Sequence, residues 1–118
     1  MIIGIGVDTV NIERFERIVT ETPAFVRRVF TPNERTRNIR SQAVRFAAKE
    51  ALSKALGTGI REPVSLRHIS IVHNDLGRPE FACAPELQAW LEQRHICRLH
   101  LSLSDETEYI QAFAVAEM

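Results

Sequence analysis

An alanine-rich segment in the middle of the chain limits the possible folds more than any other part of the sequence. Residues 41–56 repeat small apolar side chains at helical spacing, and Gly57-Thr58-Gly59 follows in the usual manner of a helix end. The polar residues of this segment are too few for a solvated surface helix. We therefore predict a main helix that begins at Ser41, with an apolar stripe formed by Val44, Ala48, Ala51 and Ala55 and flanked by Ala47, Leu52 and Leu56.

A strand is predicted over residues 1–10, well before this helix. Large apolar residues alternate there with two glycines and an acid, so Asp8 shares one face of the strand with Gly4 and Gly6. We expect the glycines to keep the surface beside Asp8 open to a ligand. The alternative is that Asp8 only caps the helix that follows.

Shorter helical and extended segments complete the pattern. Helices are expected from a cap near Asn11, from Pro23, from Pro32 with a capping box completed by Glu34, and from Pro85. Four further strands, at residues 69–72, 81–84, 99–104 and 109–116, are predicted to form two hairpins. This order favours a single α+β domain over residues 1–118, with helices packed on one face of a mainly antiparallel sheet.

Composition excludes several classes of protein. With 118 residues, 45% of them apolar, the chain suits one globular domain, and its formal net charge of zero argues against a general nucleic-acid binder. The longest apolar stretch, residues 2–7, is far too short to span a bilayer. Its two cysteines have no zinc-binding spacing. We expect a cytoplasmic protein with no membrane or nucleic-acid partner.

The basic residues are unevenly distributed. Eight arginines and only four glutamates lie between Asn11 and Arg45, which predicts either a solvated face or a docking surface for an acidic protein or a phosphorylated ligand. Both lysines of the chain, Lys49 and Lys54, lie in the main helix.

Charged residues in the main helix are candidates for chemistry. Glu50 and Lys54 are four residues apart, as are Arg45 and Lys49, and either pair can be an ordinary surface pair. Alternatively, Asp8 and Glu50 hold a hard cation such as Mg²⁺, and Arg45, Lys49 and Lys54 neutralise the phosphates of a substrate. The four histidines lack metal-binding spacing, and no GxSxG motif supports a hydrolase.

Four segments, in order along nearly the whole chain, resemble the holo-acyl-carrier-protein synthases, the single-domain, trimeric type of bacterial 4′-phosphopantetheinyl transferase. They read IGIGVDTVNIERF at residues 3–15, RFAAKEALSKALGTG at 45–59, NDLGRP at 74–79 and LSLSDE at 101–106. The first two are highly specific motifs, and the last two are supporting.

This resemblance implies the 4′-phosphopantetheinyl transferase fold and the family's reaction. The phosphopantetheine arm of coenzyme A would pass to a serine of acyl carrier protein, with release of 3′,5′-ADP, in support of fatty acid biosynthesis. It implies Mg²⁺ held by Asp8 and Glu50, coenzyme A phosphates met by Arg45 and Lys54, and carrier protein docked around Arg14. It also implies a homotrimer with active sites between subunits.

The same resemblance suggests catalytic roles for two residues. Lys54 lies one helical turn from Glu50 and is expected to stabilise or protonate the leaving oxygen. The proton of the carrier serine can pass to Glu50 or to a metal-bound water, and the sequence leaves both open.

One departure from the family pattern concerns the last motif. Many members carry a histidine where this chain has Asp105, so a nucleotide contact at that position is not predicted. The alternative function is a non-catalytic trimeric module that binds a nucleotide or a carrier. Such a module is expected to have lost Asp8, Glu50 or Lys54, and all three are present.

Overall fold

Two antiparallel sheets provide the frame in the computed structural model, which describes residues 1–118. The larger sheet has the strand order β1-β5-β4, with β1 at Ile2–Asn11, β4 at Arg98–Asp105 and β5 at Tyr109–Glu117. The smaller is a hairpin of β2 (Ile69–His73) and β3 (Pro79–Cys83). The predicted α+β class is confirmed, but the hairpin forms a separate sheet instead of extending the main one.

Five α-helices pack around these strands, and local sequence accounts for where they begin. Asn11 caps the first, since its side-chain oxygen accepts the Arg14 N–H at 2.8 Å. Prolines begin three others, and the predicted capping box is present, with the Thr31 N–H donating to Glu34. The helices are α1 (Ile12–Glu21), α2 (Pro23–Val29), α3 (Pro32–Arg35), α4 (Ile39–Ala55) and α5 (Pro85–Gln93).

The main helix, α4, begins two residues earlier than the sequence suggested. Asn38 is its cap, and the side chain of Asn38 accepts the Ser41 N–H at 2.8 Å. Ser41 therefore lies in the first turn instead of at the cap. The end is as expected, because Gly57 and Gly59 follow with φ values of +77° and +63°.

Small side chains on both sides let α4 lie close to the main sheet. The alanines of the predicted stripe, Ala48, Ala51 and Ala55, are buried, and they face the inner side of β5. That side is also built largely of alanine, at Ala112, Ala114 and Ala116. The opposite side of the sheet stays uncovered and exposes Ile3, Ile5, Val7 and Phe113. None of the helices has both the length and the apolar character needed to cross a membrane.

Candidate active site

The glycines of β1 determine how closely α4 approaches. A Cβ atom on Gly6 would lie 2.0 Å from the carbonyl oxygen of Ala51, and one on Gly4 would lie 1.8 Å from that of Ala55. Both separations are far below van der Waals contact, so β1 and α4 touch backbone to backbone. The expectation that these glycines keep the surface open to a ligand is wrong, because the helix fills that space.

This close approach places Asp8 against the last two turns of α4. The Lys54 ammonium donates to Asp8 Oδ1 at 3.1 Å and to the Val7 carbonyl oxygen at 2.9 Å. The Asp8 side chain is 17% exposed, whereas that of Lys54 is 52% exposed. Asp8 does not cap α1, since Asn11 does so. The capping alternative is therefore excluded, and Asp8 belongs to a charged group at the junction of β1 and α4.

Glu50 is the second acid of this group. Burial raises the pKa of Asp8, and the hydrogen bond from Lys54 opposes that shift. Burial also raises the pKa of Glu50, and the nearby Asp8 charge raises it further. The Glu50 carboxylate makes no hydrogen bond, and Lys54 forms its ion pair with Asp8 instead of with Glu50. Two partly desolvated carboxylates thus repel each other, with one ammonium beside them.

This donor set fits a hard divalent cation. Carboxylates are the ligands that Mg²⁺ takes from proteins, commonly one or two of them, with water and substrate phosphates completing the shell. No group of three or more His, Cys, Asp or Glu side chains forms a self-sufficient metal site anywhere in the chain. Asp8 and Glu50 therefore suit a cation that is shared with a phosphate ligand, and they do not suit a closed structural metal centre.

Lys49 is not where the sequence placed it. Its side chain has no exposed surface, and its ammonium donates to Glu34 Oε1 at 2.6 Å and to the Val29 carbonyl oxygen at 2.8 Å. It also lies 5.1 Å from the centre of the Phe30 ring. Burial lowers the pKa of Lys49, and the hydrogen bond to Glu34 opposes that shift. The prediction that Lys49 neutralises the phosphates of a substrate is wrong, because its ammonium faces the interior.

Arg45 is also largely buried, but its hydrogen-bonding capacity is mostly unused. Its side chain is 8% exposed, and its only hydrogen bond runs from Nη1 to Ser41 Oγ at 2.5 Å. A guanidinium has five N–H donors; one is bonded to Ser41 and the Nε–H faces buried Glu34, so three remain for a ligand. The surface-pair interpretation of Arg45 and Lys49 is wrong, since both side chains lie inside the protein.

Two further predicted regions lie apart from this group. Arg14 is exposed in the first turn of α1, and its side chain forms no ion pair. Asp105, to which no role was assigned, pairs with Arg40. The Arg40 guanidinium also donates to the carbonyl oxygens of Glu106 and Thr107, at 2.9 and 3.0 Å. Arg40 thereby fastens the turn between β4 and β5 to the first turn of α4.

A pocket of about 780 Å³ opens between the β2–β3 hairpin and β4. Arg78 and His73 from the hairpin line it, together with the side of β4 from Leu99 to Leu103. Arg78 forms no ion pair, so its charge is available to a ligand. The volume is in the range of cofactor pockets. From the sequence, only the turn at residues 74–79 was predicted in this region, and no pocket.

Sequence reasoning missed the contacts of Glu34 and Arg40. Glu34 was recognised only as a capping residue, although its carboxylate lies in the same buried cluster as Lys49 and Arg45. Neither contact has a local signal, because Glu34 and Lys49 are 15 residues apart and Arg40 and Asp105 are 65 apart.

Comparison with known proteins identifies the family. The family model for the 4′-phosphopantetheinyl transferase superfamily matches residues 4–114. A protein of Neisseria meningitidis serogroup A, named holo-[acyl-carrier-protein] synthase, is 48% identical over 99% of both chains. A protein of the same name from Nitrosospira multiformis is 45% identical, again over 99% of both chains.

Solved structures agree with this assignment. The crystal structure of holo-[acyl-carrier-protein] synthase from Neisseria meningitidis matches with a TM-score of 0.94 at 46% identity, over 100% of both chains. The Helicobacter pylori synthase, solved in complex with coenzyme A, matches with a TM-score of 0.83 at 30% identity, over 96% of this chain and 99% of that one. Fold, motifs and full-length similarity together show that this chain belongs to the holo-[acyl-carrier-protein] synthases of the 4′-phosphopantetheinyl transferase superfamily.

Proposed function

We propose that this chain transfers the 4′-phosphopantetheine arm of coenzyme A to a serine of apo acyl carrier protein and releases 3′,5′-ADP. The observation that carries this proposal is the meeting of Asp8, Glu50 and Lys54 at the junction of β1 and α4. Family membership gives the reaction, and this group supplies the acids and the ammonium that phosphoryl transfer needs. The role of the product in fatty acid biosynthesis, in the cytoplasm, is part of the proposal.

Asp8 and Glu50 are the residues that would hold Mg²⁺. Their carboxylates repel each other, and Asp8 has only Lys54 as a counter-charge. A bound Mg²⁺ ion would supply charge stabilisation to the pyrophosphate of coenzyme A. All other steps can be assigned to groups of the chain and its substrates.

The reaction replaces one P–O bond with another. The serine oxygen of the carrier forms a bond to the β-phosphorus of coenzyme A, while the bond from that phosphorus to the bridging oxygen of 3′,5′-ADP breaks. The serine proton passes to Glu50, whose carboxylate carries no hydrogen bond in the free protein. Lys54 donates to the leaving oxygen, which it can reach by releasing its half-exposed ammonium from Asp8.

Two places are available for the rest of coenzyme A. Arg45 offers three N–H donors to a phosphate group, which supports its predicted role. The pocket lined by Arg78 and His73 is large enough for the nucleotide half of the molecule. Lys49 takes no part in this binding, because Glu34 and Val29 occupy its donors.

Carrier protein is proposed to dock on α1 around Arg14. The α1 surface exposes Arg14 and Arg17 without a side-chain ion pair, beside Glu13, Glu16 and Glu21, so the proposal rests on these two arginines and not on the net charge of the helix. The homotrimer is proposed from the family resemblance, and the uncovered side of the main sheet offers a surface for it. Ile5 is 60% exposed there and Phe113 is 42% exposed, and such an apolar surface is typical of an interface between copies of a chain.

A direct assay tests the proposed reaction. The protein is incubated with coenzyme A, Mg²⁺ and an apo acyl carrier protein, and the mass of the carrier is measured over time. We expect the carrier to gain one phosphopantetheine group, and the Asp8→Asn and Glu50→Gln variants to modify it about a hundredfold more slowly. A carrier of unchanged mass, with coenzyme A bound, would indicate the non-catalytic module.

A further inference from the structure

Three charged side chains are buried together between α3 and α4, outside the group at Asp8. Glu34, Arg45 and Lys49 are 5%, 6% and 0% exposed. The Lys49 ammonium donates to Glu34 Oε1 and to the Val29 carbonyl oxygen, so both side chains of this ion pair are held in the interior. Replacing a buried ion pair with apolar side chains of similar volume is often neutral or stabilising, so the pair is weak evidence for a stabilising role. The cluster therefore requires another explanation.

The charges in this cluster do not balance. Oε1 of Glu34 accepts from both Lys49 and the Thr31 N–H, at 2.6 and 3.0 Å. Oε2 is buried and accepts no hydrogen bond. Arg45 Nε lies 3.8 Å from Oε2, which is too long for a hydrogen bond. One acid thus serves two cations: Lys49 is hydrogen-bonded to Oε1, and Arg45 lies at ion-pair distance from Oε2 without a hydrogen bond.

Two contacts nevertheless fix the direction of the Arg45 guanidinium. Glu34 Oε2 faces its Nε, and Ser41 Oγ accepts from its Nη1. Burial lowers the pKa of Arg45, and repulsion by the charge of Arg37 lowers it further, so both disfavour a charged guanidinium at this place. Without Glu34, both this repulsion and the hydration of the guanidinium would favour a conformer of Arg45 that is turned out to water.

We propose that Glu34 is a positioning residue for coenzyme A binding: held by Lys49, it keeps Arg45 oriented with its free donors ready for a phosphate group. This inference rests on the proposed contact between Arg45 and coenzyme A. It also gives Lys49 a role in binding that does not require contact with the ligand. A fixed guanidinium loses less side-chain entropy when it binds, so orientation increases affinity.

The test uses a variant that removes the pair without changing net charge. Glu34→Gln alone leaves Lys49 buried without an acid and can fail to fold, whereas Glu34→Gln combined with Lys49→Met removes both charges. Coenzyme A binding is measured by calorimetry in Mg²⁺ buffer, and KM and kcat are measured with saturating carrier. We expect the double variant to raise the Kd and KM for coenzyme A about tenfold, with kcat within about threefold of the parent.

A double-mutant cycle with Arg45→Ala separates positioning from a general effect on the fold. Arg45→Ala is expected to raise the Kd for coenzyme A at least about tenfold, and adding the Glu34 and Lys49 substitutions to it should change that Kd by less than about twofold. Glu92→Gln on α5, an exposed glutamate bonded only to Gln88, is the matched control. Its Kd should equal that of the parent.

The outcomes distinguish the inference from the function on which it rests. If Arg45→Ala binds coenzyme A like the parent, the proposed contact of Arg45 is wrong, and positioning by Glu34 is wrong with it. If Arg45→Ala weakens binding but the double variant does not, Arg45 contacts the ligand without help from Glu34. If the factors by which Arg45→Ala and the double substitution raise the Kd multiply in the triple variant, Glu34 and Lys49 have a structural role only. This result too would overturn the inference.

Discussion

A Cβ atom on Gly6 would stand 2.0 Å from the carbonyl oxygen of Ala51, so β1 and α4 are in backbone contact where the charged group lies. That added Cβ atom would also lie only 2.9 Å from the Cβ atom of Lys54. The distance between the strand that carries Asp8 and the helix that carries Glu50 and Lys54 is thus fixed by the absence of a side chain at Gly6.

Replacing Gly6 with alanine should therefore damage both stability and activity. The clash is with backbone atoms, so α4 must shift, and we expect the free energy of unfolding to fall by at least about 3 kcal/mol. Activity should fall at the same time, because the shift separates Asp8 from Glu50. Urea denaturation and the carrier mass assay check these two effects.

Gly77→Ala is the control for this variant. Gly77 has a φ of +83°, but nothing lies within 4 Å of a Cβ atom there, so its cost should be only about 1–2 kcal/mol of backbone strain. A Gly6→Ala protein as stable as Gly77→Ala would show that the contact between β1 and α4 is loose.

Asp8→Asn and Glu50→Gln should each lower activity by about a hundredfold or more at saturating Mg²⁺. Each change removes a charged oxygen from a cation that prefers anionic oxygens, and the metal is expected to contribute several kcal/mol to the transition state. Initial rates of carrier modification measure the effect. Rates within about threefold of the parent for both variants would exclude metal binding by this pair.

Arg40 and Asp105 should act as a structural unit, separate from coenzyme A binding. Arg40 contacts Asp105 and two carbonyl oxygens of the same turn, yet both side chains are partly exposed. We expect Arg40→Ala and Asp105→Asn each to cost about 1 kcal/mol or less, with a smaller combined cost than the sum. Thermal denaturation of the two single variants and the double variant measures these costs in stability. A weakened Kd for coenzyme A in Asp105→Asn would instead assign Asp105 to the nucleotide site.

The elements of the fold were largely predictable because their signals are local. Alternation defined β1, and capping residues and prolines defined the starts of α1, α2, α3 and α5. The start of α4 was misplaced by two residues, because Asn38 and Ser41 are both good capping residues and local preference does not choose between them. The separate β2–β3 sheet depends on which strand edges meet, and no local pattern encodes that.

The candidate site was predictable only in part, and Lys49 shows why. Four-residue spacing indicates which side chains share a face of a helix, but it does not say what that face packs against. α3 lies against α4 on the side of Lys49, so its ammonium meets Glu34 instead of solvent. Gly4 and Gly6 were misinterpreted for the same reason. A glycine in a strand indicates that something approaches closely, but the sequence does not show whether a ligand or a helix does so.

Arg14→Glu should weaken carrier docking and leave coenzyme A binding nearly unchanged. Arg14 is exposed on α1, and an exposed charge acts mainly on encounter with an oppositely charged partner, so added salt should have a similar effect on the parent. The KM for the carrier and the Kd for coenzyme A measure the two effects. Arg61→Glu, in the loop after α4, changes the charge equally and is the control, since the Arg61 side chain is exposed and forms no ion pair. Equal losses of affinity for carrier and coenzyme A would contradict docking at Arg14.

In the metal-free protein, the contribution of Asp8 and Glu50 to stability should decrease with pH through the range in which these two carboxyls ionise. The folded state raises the pKa of both carboxyls, so it binds protons more tightly there than the unfolded chain does. Stability associated with their protonation is present at low pH and is lost as the pH rises through the raised pKa values.

The Asp8→Asn, Glu50→Gln double variant lacks this loss, so its stability relative to the parent should increase from about pH 4 to 7 in EDTA. Added Mg²⁺ should stabilise the parent at neutral pH and leave the double variant unchanged. Urea denaturation across this range tests both expectations, since all other titrating groups are common to the two proteins. A difference that stays constant with pH would mean that the two carboxylates neither repel each other nor lose solvation on folding.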